Sequence, residues 1–176
     1  MQQTTLKELP ALLSDKLRDC RESGKFINIA ITADVPHEKH LNKILRDWAE
    51  SCSLNFTFIP LPSVLYKDVG GGKYVPDLKD GERQYLFSDD VVTHINSKEV
   101  GFFEYLNWGR PKKAVEELKE IITNRTYTSP YNGIRCEINN LKMLVVTLFP
   151  ERPGRKLIEL DQSVVELFEN YQIIDY

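Results

Sequence analysis

Asp34 stands directly after the apolar run Phe26-Ile27-Asn28-Ile29-Ala30-Ile31-Thr32-Ala33, and a carboxylate at the carboxyl end of a strand is a common place for chemistry in α/β proteins. With Asp89 and Asp90 it offers the hard oxygen ligands that hold Mg²⁺. An ion bound there would polarise a phosphoryl oxygen and orient a water for transfer or hydrolysis. The three carboxylates meet only if residues 85–88 form a parallel strand beside the first. In the competing reading Asp34 caps the following helix or makes a turn with Val35-Pro36, and Asp89-Asp90 is solvated turn surface.

Anion-binding chemistry has two candidate places. Gly70-Gly71-Gly72-Lys73 invites comparison with a phosphate loop, but that motif needs Gly-x-x-x-x-Gly-Lys-Ser/Thr, and here position 67 is Lys and position 74 is Tyr. A glycine-rich turn with Lys73 as an isolated anion contact is the remaining reading. Arg152, Arg155 and Lys156 surround Pro153-Gly154 and make a second basic turn able to meet a phosphate, or simply a solvated loop.

Other constellations are looser. His37 and His40 lie three apart and share a helical face next to Asp34, which permits a metal pair, although no common zinc spacing is present. Asp77, Glu137 and Lys142 are the residue types of a metal-dependent nuclease without its tight cluster. There is no Gly-x-Ser-x-Gly elbow and no Gly-x-Gly-x-x-Gly fingerprint. Cys20, Cys52 and Cys136 are odd in number and far apart, so they read as packing residues of a reducing compartment. No cofactor is expected, and Mg²⁺ belongs only to the phosphoryl-transfer reading.

A binding role draws on Phe102, Phe103, Tyr105 and Trp108 beside Arg110, Lys112 and Lys113. Such a patch suits a protein interface, or stacking on single-stranded bases. Against this, large aromatics before a helix commonly anchor the core.

The elements that must position these groups follow from hydrophobic period. Leu6, Leu9, Leu12, Leu13 and Leu17 recur at helical spacing, with Pro10 in the first turns and Gly24 as the stop. The nearly continuous apolarity of residues 26–33 predicts a central strand covered on both faces. Leu41, Ile44, Leu45 and Trp48 then mark an amphipathic helix, and residues 54–60 an aromatic-rich strand stopped by Pro60. Together they predict a right-handed β-α-β unit.

Residues 63–98 lose any period and read as a long irregular segment, a place where functional loops concentrate. Pro111 opens a further helix through Ala114, Val115, Leu118, Ile121 and Ile122. Residues 134–138 and 142–149 flank Asn139-Asn140-Leu141 as a hairpin. A helix through Leu157, Leu160, Val164, Val165, Leu167 and Phe168 follows, and Ile173-Ile174 adds a short edge strand.

The chain of 176 residues, 41% hydrophobic and 28% charged, holds a full core without staples. Its fold class is α/β or α+β: a single domain over 1–176, a three-layer or two-layer sandwich with a mixed sheet, an N-terminal β-α-β unit and a C-terminal hairpin followed by a helix. A formal charge of −3 argues against indiscriminate binding of polyanions. The N-terminus lacks the regions of a secretory signal, and no stretch suits a membrane span, which predicts a cytoplasmic or otherwise intracellular protein without membrane contact. By elimination the preferred function is a non-enzymatic protein-binding or regulatory domain with a protein partner or oligomer, a subunit of a larger assembly. The alternative is a Mg²⁺-dependent phosphoryl-transfer or phosphodiester-hydrolysing enzyme using strand-end carboxylates. Single-stranded nucleic-acid binding ranks third.

Overall fold

In a computed structural model, the structure describes residues 1–54, 56–60, 73–76, 83–86, 98–104, 119–128, 135–148 and 166–175. Among the described residues ten strands and two full helices are defined. β1 (Gln2–Thr4) leads into α1 (Leu9–Ser23), followed by β2 (Ile27–Thr32), a one-turn 3₁₀ segment (Val35–His37), α2 (Glu38–Ser51) and β3 (Phe56–Pro60). Then come β4 (Lys73–Pro76), β5 (Arg83–Leu86), β6 (Val100–Glu104), β7 (Thr126–Thr128), β8 (Arg135–Glu137), β9 (Met143–Leu148) and β10 (Glu169–Ile173). A helical segment over 119–124 precedes β7.

α1 forms where the leucine period predicts it, with proline in its first turn, where a missing N–H is harmless. Thr5 and Glu8 satisfy each other ahead of it: the Glu8 N–H donates to Thr5 Oγ1 at 3.2 Å and the Thr5 N–H to Glu8 Oε2 at 3.3 Å, the exchange of a capping box. The helix stops at Gly24, whose φ of 69° lies in the left-handed region that glycine enters without a Cβ penalty.

Six strands form one sheet in the order β1-β10-β2-β9-β6-β3, and every neighbouring pair is parallel. Antiparallel pairing is present but partitioned into two separate ribbons, β4 with β5 and β7 with β8. β2 lies inside the sheet, with Ile31 opposite Tyr171 on one side and Thr147 on the other. The β2-α2-β3 unit forms as expected, though β9 and β6 stand between its two strands.

Alternation along the strands splits the core in two. Ile29 and Ile31 of β2, Met143 and Val145 of β9, Val100 and Phe102 of β6, and Tyr171 and Ile173 of β10 join Leu9, Leu13 and Leu17 of α1 and Leu41, Leu45 and Trp48 of α2 in one cluster. Both helices therefore cover the same face, as right-handed crossovers that advance in one direction require. Ala30, Leu144 and Val146 are also buried, and Asn28 Nδ2 donates to the Ile122 carbonyl at 3.1 Å, which puts the 119–124 segment over the opposite face. The result is a three-layer arrangement around a doubly covered parallel sheet.

Three sequence expectations change here. Residues 142–149 do not pair with 134–138 across Asn139-Asn140-Leu141. β8 turns back on β7, and β9 instead enters the parallel sheet between β2 and β6, because its apolar run Met143-Leu144-Val145-Val146 suits a position covered on both faces. The hairpin of this half of the chain is thus one strand earlier. The short strand at Ile173 is not an edge: β10 is covered by β1, which the polar Gln2-Gln3 gave no reason to expect. Within 63–98 the irregular segment contains the β4–β5 ribbon. Of the helix expected through Leu157 to Phe168, residues 157–165 lie outside the described residues, and 166–168 form a turn ahead of β10.

Arg21 and Glu99 tie the end of α1 to the start of β6 through a fork of Nε to Oε1 at 2.6 Å and Nη2 to Oε2 at 2.9 Å. The Arg21 hydrogen bond, aided by its charge, holds the Glu99 carboxyl below its ordinary 4.5 against the opposing effect of burial. A lowered folded-state value contributes stability that is complete above 4.5 and lost as pH falls through the folded value. Replacing Glu99 with Gln should therefore cost well under about 1 kcal/mol at pH 7, since Arg21 is half exposed and the pair is screened. The difference from the parent should vanish in urea titrations at pH values below the carboxylate range. A penalty that persists there would show that the charge is not its source.

Candidate functional site at the carboxyl end of the sheet

β2 ends at Thr32, and Ala33 is still buried in the helix-covered core before the chain surfaces at Asp34. A 3₁₀ bond closes the turn: the His37 N–H donates to the Asp34 carbonyl at 2.9 Å. α2 then starts at Glu38, with His37 as N-cap and no side-chain cap bond. Its apolar stripe, Leu41, Leu45, Trp48 and Ala49, fixes the axis against the sheet, so the helix N-terminus is held beside the end of the central strand.

A strand, a short loop and a helix in this order are the setting of a phosphate loop. Counted from the first residue after β2, the pattern Gly-x-x-x-x-Gly-Lys-Ser/Thr falls on residues 33–40. Lys39 occupies the lysine position, Ala33 and Glu38 stand at the two glycines, and His40 replaces the hydroxyl residue. The sequence reading missed this register because it required the glycines. An apolar strand followed at fixed distance by a lysine in the first turn of a helix was the signal that could have found it.

The geometry departs from an anion cradle in four ways. No residue in 33–40 has a positive φ, whereas a nest of converging N–H groups alternates right-handed and left-handed residues. Pro36 has no N–H to offer, and that of His37 is already donated. The carboxylate of Glu38 sits in the first turn of α2, where it meets the positive end of the helix dipole in place of a ligand. Asp34 adds a second carboxylate to the single lysine. A Mg²⁺ ion of the P-loop kind does not fit these residues, since His40 supplies an imidazole where a hard oxygen ligand belongs.

The neighbouring strand ends complete the site. Thr147 of β9 is buried opposite Ile31, and β6 runs on to Glu104 beyond the paired Phe103 and Val146. Asp34 and Glu104 thus both stand at carboxyl ends, with β9 between their strands. Among the described residues no group of three or more His, Cys, Asp or Glu side chains is placed to hold a metal ion.

Asp34 is where the sequence placed it, exposed at the strand end. The strand meant to bring Asp89 and Asp90 beside it is not there. Arg83–Leu86 pairs antiparallel with Lys73–Pro76 in a ribbon, and the neighbours of β2 are β9 and β10. Asp89 and Asp90 themselves lie outside the described residues. His37 is half buried at the end of the 3₁₀ turn and His40 is exposed on α2.

Phe102 is corrected from interface to core. It is 1% exposed and meets Trp48 edge to face at 6.3 Å, because the alternation of β6 turns it toward α2. Phe103 lies in β6; Tyr105, Trp108, Arg110, Lys112 and Lys113 fall outside the described residues. So do Asp77, Arg152, Arg155 and Lys156, and Lys73 begins β4. Glu137 is exposed on β8, whereas Lys142 directs Nζ to the Asn139 carbonyl at 3.2 Å. Cys20 is buried, with Sγ 3.6 Å from the Lys142 carbonyl, and burial pushes its thiol upward, which keeps it protonated and inert. Cys52 and Cys136 are exposed.

No protein-family model and no curated protein matches the sequence. Solved structures do match. A putative ATPase from Cytophaga hutchinsonii superposes with a TM-score of 0.59 at 15% identity, over 95% of this chain and 46% of the other. A full-length MCM homologue from Methanopyrus kandleri superposes with a TM-score of 0.56 at 14% identity, over 84% of this chain and 30% of the other. The chain spans less than half the length of either structure. At such identities the likeness is one of fold alone. Among the described residues no helix is long and apolar enough to cross a membrane.

Proposed function

We propose that this chain is an NTPase-fold domain that does not use P-loop hydrolysis and serves as a protein-binding or regulatory module of a larger assembly. One observation carries the reading: the β2–α2 junction keeps the length of a phosphate loop but has no left-handed residue, spends the His37 N–H within the turn, and places Glu38 at the helix N-terminus. Fold alone assigns no activity, and this junction opposes the charge of a triphosphate.

A second reading, Mg²⁺-dependent phosphoryl chemistry at the same end of the sheet, is favoured by the likeness to a putative ATPase structure and by Lys39 in the lysine register. Calorimetric titration with ATP and ADP, with and without Mg²⁺, separates the two when paired with an assay for released phosphate. The expected result is no saturable binding up to about 1 mM, which corresponds to less than about 4 kcal/mol of binding free energy, and no turnover. Replacing Lys39 with Ala should change nothing. Saturable Mg²⁺-dependent binding that this substitution abolishes would overturn the proposal in favour of the second reading.

A further inference from the structure

Arg125 is the most deeply buried cation among the described residues, at 2% exposure. It follows the helical segment 119–124 in a left-handed conformation, φ 52°, and its N–H donates to the Ile121 carbonyl at 3.1 Å. The side chain folds back under that helix end. Nε donates to the Leu141 carbonyl at 3.2 Å, and Nη1 to the carbonyls of Ile121 at 3.2 Å and Ile122 at 3.4 Å. The Phe26 ring lies 4.8 Å from its Cζ. Its own carbonyl accepts the Ile138 N–H at 2.7 Å, just after β8 ends.

One residue therefore joins four places: the end of the 119–124 segment, the start of β2, the approach to β9, and both sides of the β7–β8 ribbon. No carboxylate among the described residues pairs with it. The negative end of the helix supplies the compensation, and desolvation brings the guanidinium down to about 10, so it remains charged at neutral pH. The bonding is incomplete: among the described residues Nη2 has no partner, and neither has the Oδ1 of Asn28, whose Nδ2 shares the Ile122 carbonyl. Buried unsatisfied groups raise the free energy of the docked arrangement without weakening the sheet.

We propose that Arg125 is a latch that docks the β7–β8 ribbon and the end of the 119–124 segment onto the amino ends of β2 and β9, its unpartnered guanidinium nitrogen leaving the ribbon able to open as a unit while the sheet stays folded. Local opening of this kind is read by amide hydrogen exchange. In the parent, amides of residues 126–128 and 135–138 should exchange at least about tenfold faster than those of β2 and β9. Arg125→Met, which removes all three side-chain bonds, should accelerate the ribbon by a further factor of about ten while α1 and α2 stay within about twofold.

Phe26→Ala removes only an exposed ring from above the guanidinium, and should accelerate the same amides by about threefold. It decides the matter if Arg125→Met does not fold. Ribbon amides that exchange in step with the sheet in the parent would overturn the latch. So would a uniform loosening in Arg125→Met, or an unchanged ribbon in Phe26→Ala.

Discussion

Trp48→Ala is expected to lower the unfolding free energy by about 3–5 kcal/mol, the range for deleting a buried large aromatic. Trp48 is 4% exposed and lies between α1, α2 and the sheet. Its ring meets Phe102 at an interplanar angle of 82°, and Nε1 donates to Ser14 Oγ at 2.9 Å. The hydrogen bond is the smaller part, because Ser14 also donates to the Pro10 carbonyl and is exposed enough to find water. Most of the loss comes from the cavity, which a rigid parallel sheet and two crossing helices cannot collapse to fill. Trp48→Phe should keep most of the volume and cost about 1–2 kcal/mol.

Urea unfolding followed by circular dichroism measures both. Since a domain of this size has about 5–15 kcal/mol in total, Trp48→Ala should show a clearly lower midpoint at an unchanged slope. A loss smaller than that of Trp48→Phe would mean the contact between α1 and α2 is not where the core is anchored.

Phosphate affinity should appear when the β2–α2 junction is rebuilt. The triple substitution Ala33→Gly, Glu38→Gly and His40→Thr introduces glycines that permit left-handed backbone and close approach. It also removes the carboxylate at the helix N-terminus and supplies a hydroxyl for Mg²⁺. Lys39 is already in place. The rebuilt protein should bind Mg²⁺-ATP at least about tenfold more tightly than the parent, a gain of about 1.4 kcal/mol, and Lys39→Ala in that background should remove the gain. Equal affinity in parent and rebuilt protein would show that Asp34, Pro36 or the surrounding fold, and not these three residues, prevents binding. Tight binding by the parent would defeat the proposed function outright.

Much of the first third of the chain was legible because its local signals agree. The leucine period of α1, the proline in its first turn and Gly24 at its end all describe one helix, and the run before Asp34 has the apolarity of a doubly covered strand. The spacing of Lys39 after β2 is less legible, since this junction has no glycine to mark it. Residue 39 carries its meaning only once β2 and α2 are known to flank it.

Arg125 was invisible for a different reason. A basic residue in a polar stretch reads as surface, and nothing in Asn124-Arg125-Thr126 announces three carbonyls converging on a guanidinium. Phe102 reads equally well as patch or core until the partner of its strand face is known. Asn139-Asn140 looks like a hairpin turn because turn propensity is local, while the pairing of β8 with β7 is settled by which strand the sheet admits at its centre.

By itself the sequence determined the elements whose cause lies within a few residues: both helices, the apolar strand with its terminal carboxylate, the absence of glycines from the β2–α2 junction, and a mixed class, α/β or α+β. The tertiary structure alone decided the strand order, because parallel partners far apart in the chain are chosen by burial on both faces of a sheet. That order places β2 between β10 and β9 and leaves Arg83–Leu86 outside the six-stranded sheet. Local propensity carries no information about such pairings, since the free energy that selects them arises only when the whole sheet closes over its core.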